Sequence, residues 1–345
     1  MKKLSLAFAV LILIFFVSCS LSYNEGDYFF IRRAGAEMPV WVRGAESDTF
    51  VIFLHGGPGD TAQYIHEFYA FQELEKKYSL VYWDQRSSGV SKGDGNSETF
   101  TLDDFVLDLD LLVDVIREKY QPRNIVLLGI SWGGTLGTAY LADPLRQEKI
   151  TGWIESGGGH NMVLLMEKST EIVKGYAEEQ AAAGDDGLWQ DAVVFFTENP
   201  DPGVWTLENY REYTRYLYAA EPYSYTRKPQ PGDIQGPTLK LIFLSPMSFA
   251  VFFNPGKLLP DFNILSLDLT EEMDSITLPA LFLWGKYDIN SPVELAEHGY
   301  NSVGTPPDLK EKIILENAGH GIFSDDPAGF LESCTGFIEG LRQGE

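Results

Sequence analysis

The strongest constraint on the fold is a series of short apolar runs separated by helical patterns. The runs fall at Tyr28–Arg32, Pro39–Arg43, Phe50–Leu54, Leu80–Trp83, Ile125–Gly129, Ile150–Glu155, Ala280–Trp284 and Lys312–Leu315. Several show no polar alternation, as expected of strands covered on both faces. Between them, Leu102, Phe105, Leu109, Leu112 and Ile116 recur at helical spacing and form one apolar stripe. Thr101 with Asp104 offers a cap for that helix. Gly133–Ala142 and Pro327–Leu341 read as further helices. The alternation predicts an α/β fold: a mostly parallel sheet with helices on both faces. A length of 345 residues with 44% hydrophobic content is enough for one large core.

The alternation lapses between Gly157 and Ser275. This stretch is rich in Tyr, Phe, Glu and Pro, and Tyr210, Tyr213, Tyr216, Tyr218, Tyr223 and Tyr225 crowd together within it. Strand signals resume at Leu278-Pro279. The expectation is a mainly helical insertion over 157–275, dividing one core into 19–156 and 276–345. Placed over the carboxyl ends of the strands, it would act as a lid where open α/β sheets hold their ligands.

Gly129-Ile130-Ser131-Trp132-Gly133 fits G-x-S-x-G, with an apolar strand before it and a helical pattern after it. A serine on such a strand-to-helix turn has its hydroxyl raised above the sheet, and the flanking glycines leave room for the tight backbone. Ser131 is therefore the candidate nucleophile, and the Trp132 N–H, at a helix start, a candidate oxyanion donor. His55-Gly56-Gly57-Pro58-Gly59 follows an earlier strand, in the loop that supplies the second oxyanion donor in such folds; Gly57 is the candidate and His55 a brace. In Trp83-Asp84-Gln85-Arg86-Ser87-Ser88-Gly89-Val90-Ser91, Asp84 and Arg86 are expected to pair and to stiffen a loop beside the site.

A serine hydroxyl needs a base, and the base an orienting acid. Of five histidines, His55 belongs to the oxyanion loop, His66 and His298 fall in helical stretches, and His160 lies at the start of the insertion. His320, in a glycine-flanked loop after the last strand, fits the chain order nucleophile, acid, histidine. Asp288 and Glu155 both follow or end strands and compete for the role of acid.

H-G-G-P-G, D-Q-R-x-x-G-x-S and G-x-S-W-G-G-T-L, in this order, resemble the motifs of the proline iminopeptidase family and its tricorn-interacting aminopeptidase relatives. Gly285-Lys286-Tyr287-Asp288 and Ala318-Gly319-His320 resemble that family's G-[RK]-Y-D and terminal G-H. The similarity runs from about Val51 to Phe337 and fades in the insertion. It implies an α/β-hydrolase fold, favours Asp288 over Glu155, and implies release of an N-terminal residue, often proline, from short peptides. Two departures stand out. Ser87 follows Arg86 where the family usually has Gly, and no glutamate aligns with the acidic lid residues that meet the substrate amine. Glu208, Glu212 and Glu221 are candidates by type. The alternatives are an esterase or other small-molecule acyl hydrolase on the same scaffold, and a non-catalytic surface lipoprotein.

Lys2 and Lys3 precede an apolar run from Leu4 to Val17, the layout of a secretory leader over 1–18. Phe16-Val17-Ser18-Cys19 resembles a bacterial lipoprotein cleavage box, with Cys19 as the lipidation site and export to a membrane surface as the implied location; the alternative is an ordinary signal peptide cut nearby, giving a periplasmic or secreted protein. Cys334 is the only other cysteine, so a lipidated Cys19 leaves no intrachain disulfide. The net charge of -24 argues against nucleic acid as a partner. No cofactor is expected, and the histidines and cysteines show no H-E-x-x-H or C-x-x-C spacing that would hold a metal.

Overall fold

The computed structural model describes residues 26–92, 101–184, 187–224 and 266–343; the leader, Cys19 and Tyr225 lie outside them. Eight strands form one sheet: β1 (Asp27–Arg33), β2 (Ala36–Gly44), β3 (Thr49–Leu54), β4 (Ser79–Trp83), β5 (Asn124–Ile130), β6 (Gly152–Ser156), β7 (Ala280–Gly285) and β8 (Lys310–Leu315). The described helices are α1 (Tyr69–Glu75), α2 (Leu102–Tyr120), α3 (Trp132–Leu141), α4 (Pro144–Gln147), α5 (Met162–Ala182), α6 (Leu188–Glu198), α7 (Leu207–Ser224), α8 (Thr270–Met273), α9 (Glu294–Ser302), α10 (Ile322–Asp325) and α11 (Pro327–Gln343).

The strand order is β1-β2-β4-β3-β5-β6-β7-β8. The β1–β2 and β2–β4 pairs are antiparallel, and the remaining pairs are parallel. Each of the eight expected strands is present. The sixth begins at Gly152 because Ile150 N–H closes the preceding helical turn on Gln147.

Side chains alternate across the sheet and feed two cores. Ile52, Leu54, Leu127, Phe282 and Trp284 pack with α2, α3 and α9. Val51, Phe53, Leu128, Leu281 and Leu283 pack with α1 and α11. The central strands β3 and β5 are buried at every position, which is why they read as continuous apolar runs. Helix α2 starts where expected: Thr101 Oγ1 accepts the Asp104 N–H at 3.1 Å.

The chain leaves the sheet at Ser156 and returns to the neighbouring strand at Ala280. Helices α5, α6 and α7 lie in between and pack around Val173, Trp189, Phe196, Tyr213 and Tyr216, joined by Ile289 from beyond β7. Where this segment departs and returns, its two strands of chain are stitched together. Met162 N–H donates to Leu267 O, and Leu269 N–H to His160 O, both at 2.8 Å.

Candidate active site

The parallel register aligns the carboxyl ends of the central strands. Leu54 sits opposite Gly129, and Ile130 opposite Ser156. The loops that follow these strands carry His55–Gly57, Ser131, Gly157, Asp288 and His320, so residues far apart in sequence converge at one edge.

Ser131 caps α3 with φ 57° and ψ -123°, a conformation that a side-chain-bearing residue rarely adopts. The turn is held from behind. Ser131 N–H donates to Ser156 O at 2.9 Å, and its carbonyl accepts Gly134 N–H at 2.8 Å. A Cβ on Gly133 would lie 1.9 Å from Leu54 O, so only glycine lets α3 rest on β3 this closely. The surrounding packing therefore imposes the strained backbone.

His320 Nδ1 and Asp288 Oδ2 are 2.8 Å apart. Asp288 is buried, and its other oxygen accepts Ser291 N–H at 2.7 Å. Burial pulls the His320 pKa down, but the charge and hydrogen bond of Asp288, with Glu221 and Asp325 behind them, outweigh it and leave the imidazole above its ordinary value. Asp288 thus fixes a proton on Nδ1 and leaves Nε2 as the basic nitrogen.

The competing acid, Glu155, is committed elsewhere. It is fully buried and lies 2.7 Å from Nδ1 of His160. His55 is also a brace by geometry: its Nδ1 meets Gly56 O at 2.8 Å, and its Nε2 accepts Gln85 N–H at 3.1 Å. Burial pushes its pKa down to about 4. Gln85 in turn accepts the Trp132 indole N–H at 2.9 Å, tying the loop after β4 to α3.

The expected Asp84–Arg86 pair does not form. Arg86 reaches Asp108 on α2 with two bonds, 2.5 and 2.8 Å, and Arg33 joins the same carboxylate at 2.7 Å. Asp84 instead accepts Thr61 Oγ1, Ala62 N–H and Val90 N–H, which pins the loop after β3 to the loop after β4. The two side chains serve different partners, and α2 supplied an acid that local spacing could not reveal.

A cavity of about 740 Å³ opens over this edge. Its floor contains Gly56, Gly57, Ser131, Trp132, Gly157 and His320, and its opposite wall Met162, Leu165, Met166, Tyr210, Leu217, Tyr218 and Glu221. A Cβ on Gly56 would lie 3.7 Å from Ser131 Oγ, so the loop after β3 sits directly beside the hydroxyl. Of the three candidate glutamates, only Glu221 borders the cavity, and it accepts Asn290 Nδ2 at 2.9 Å. Glu212 turns to Arg215 and Tyr216 on its own helix, and Glu208 is exposed. Asn290 and Ser291, which hold Glu221 and Asp288, were not singled out from sequence. Their place directly after the G-K-Y-D motif was the signal for them.

Residues 49–327 match the model of the α/β-hydrolase fold family, and the chain belongs to that family. It is a hydrolase on that scaffold, and its relatives agree with the motif resemblance. It is 24% identical to a proline iminopeptidase of Lactobacillus crispatus, over 86% of this chain and 89% of the relative. It is 23% identical to a probable aminopeptidase, YbaC, of Bacillus subtilis, over 83% and 87%. In structure it is similar to an esterase from Exiguobacterium antarcticum, with a TM-score of 0.59 at 20% identity, covering 90% of this chain and 98% of that one.

Proposed function

We propose that the protein is a serine aminopeptidase that releases N-terminal residues, prolyl or related, from short peptides through an acyl-enzyme. The observation that carries this reading is His320, paired with buried Asp288, lining the same cavity as the strained Ser131 turn. Ser131 Oγ attacks the scissile carbonyl carbon while His320 Nε2 takes its proton. The Gly57 and Trp132 N–H groups receive the oxyanion. The C–N bond breaks as His320 returns the proton to the leaving amine. Water then attacks the ester, again through His320, releasing the amino acid and restoring Ser131. Among the described residues the Ser131 hydroxyl makes no hydrogen bond, and in this mechanism its bond to His320 closes once substrate is seated.

Glu221 supports the choice of a peptide over an ester. It places a carboxylate in the cavity wall close enough for its charge to act on His320, a suitable counter-charge for a substrate ammonium. In this reading the insertion expected over 157–275, of which 225–265 lie outside the described residues, acts as a lid, with α5 and α7 roofing the cavity. The leader and Cys19 make the enzyme an exported, lipid-anchored one.

The apolar wall of Met162, Leu165, Met166 and Leu217 favours a second reading, an esterase for small acyl groups. A panel of prolyl and other aminoacyl amides, each with a free and a blocked amine, separates the two. The aminopeptidase loses activity when the amine is blocked. Equal or faster turnover of blocked substrates and simple esters would favour the esterase. In either case Ser131→Ala abolishes turnover.

A further inference from the structure

The segment Ser156–Gly159 touches every member of the proposed triad. Ser156 O accepts the Ser131 N–H at 2.9 Å. A Cβ on Gly157 would lie 3.2 Å from both Asp288 Oδ2 and His320 Nδ1. Gly158 O accepts Ser291 Oγ at 2.9 Å, and Ser291 N–H holds Asp288. Gly159 N–H donates to Thr135 Oγ1 on α3 at 3.2 Å. Three successive glycines have the widest conformational freedom of any tripeptide, so this turn cannot hold its own shape. Its geometry must be imposed by side chains around it.

Glu155 and His160 bracket the turn and are both fully buried. Beyond their 2.7 Å contact, His160 Nε2 meets His298 Nδ1 of α9 at 3.2 Å, with the rings nearly parallel. His298 Nε2 lies 3.4 Å from Thr270 Oγ1, which also bonds Asp268 and Asn161. On its inner side the Glu155 carboxylate accepts Thr138 Oγ1 of α3 at 3.4 Å. A Cβ on Gly158 would lie 1.9 Å from Glu155 Oε1, so the turn is moulded on this carboxylate. The chain of groups thus runs from the nucleophile helix to the point where the inserted segment departs at Asn161 and returns at Asp268.

We infer that Glu155, His160 and His298 are positioning residues: a buried clamp that fixes the triglycine turn, and through it Asp288 and the Ser131 turn, against the two roots of the inserted segment. This rests on the serine-hydrolase reading above. Burying a carboxylate with two imidazoles gains little stability over apolar packing of the same volume. Apolar packing lacks direction, which is what a glycine turn requires. The groups facing the two imidazoles are Glu155 from β6 and, beyond Thr270, Asp268. Burial, and then the neighbouring His160, hold the His298 pKa below its ordinary value, against the pull of Asp268 and Glu155.

The test is Glu155→Gln in the full chain, with Ser131→Ala alongside and active sites counted by a fluorophosphonate. The clamp requires that kcat per labelled site fall about tenfold or more while KM stays within about threefold, and that the His320 limb of the pH profile move. Unchanged kcat and pH limb with only a lower melting temperature would overturn it, even with Ser131→Ala inactive. If Ser131→Ala kept its activity, the triad reading would fail and the clamp with it. Should Glu155→Gln not fold, the half-buried end of the chain carries the test. His298→Ala should lower kcat about threefold or more and His298→Asn, whose amide keeps a hydrogen-bonding partner for His160 Nε2, should restore it; equal kcat in wild type and His298→Ala would contradict the clamp.

Discussion

The floor and the opposite wall of the cavity are built on different principles. The floor is backbone: Gly56, Gly57, the Ser131 turn and Gly157, each emerging from a strand end and locked by close contacts that tolerate no added carbon at Gly133 or Gly158. The wall is side chains on α5 and α7, packed on a separate aromatic core. A strand end fixes atoms to the sheet, as acyl transfer demands. Helix side chains can be exchanged without disturbing the sheet, which suits selection of the substrate. One scaffold can therefore serve peptidases and esterases, and the floor should govern rate while the wall governs choice.

Changes beneath the floor, at the acid that holds His320, should break that contrast most severely. Asp288→Asn should lower kcat/KM by about a hundredfold or more for every substrate, because His320 loses its fixed tautomer and the charge that stabilises its cation; steady-state kinetics on several substrates checks this. In the wall, Glu221→Gln should cost about ten- to a hundredfold on free-amine substrates and leave blocked ones nearly unchanged. Equal losses on both would erase the distinction between floor and wall.

A smaller effect concerns pH. His320 must be neutral to accept a proton, so kcat/KM should rise with pH through a limb lying above about 6.5, the ordinary histidine value. Glu221 contributes to raising that limb, so Glu221→Gln should move it to lower pH. The smallest effect on chemistry is expected at Cys19. If Cys19 is lipidated as proposed, Cys19→Ser should leave kcat within about twofold while releasing the protein from membranes, since Cys19 is far in sequence from Ser131, Asp288 and His320; cell fractionation with the activity assay reads both.

The floor was legible in the sequence because its constraints are local. A glycine-flanked serine between a strand and a helix, and the order Ser131, Asp288, His320, can be read without knowing what packs on what. Continuous apolar runs likewise marked the strands buried on both faces. The wall was less legible because its choice among glutamates depends on helix phase. Glu221 follows Tyr210, Thr214 and Leu217 on the cavity side of α7, whereas Glu208 and Glu212 fall on other faces. That periodicity was available, but without a cavity it had no direction. The Arg86–Asp108 bond and the His160–His298 contact show the other limit: each is set by packing of elements that sequence spacing does not bring together.

In the proposed mechanism Ser131 is a nucleophile activated by His320 and Asp288. Reaction of the folded chain with a fluorophosphonate, followed by peptide mapping, tests it most directly. A single adduct on Ser131 is expected, forming at least about a hundredfold more slowly in His320→Ala. An active protein that takes no label on Ser131, or one whose labelling is indifferent to His320, would contradict it.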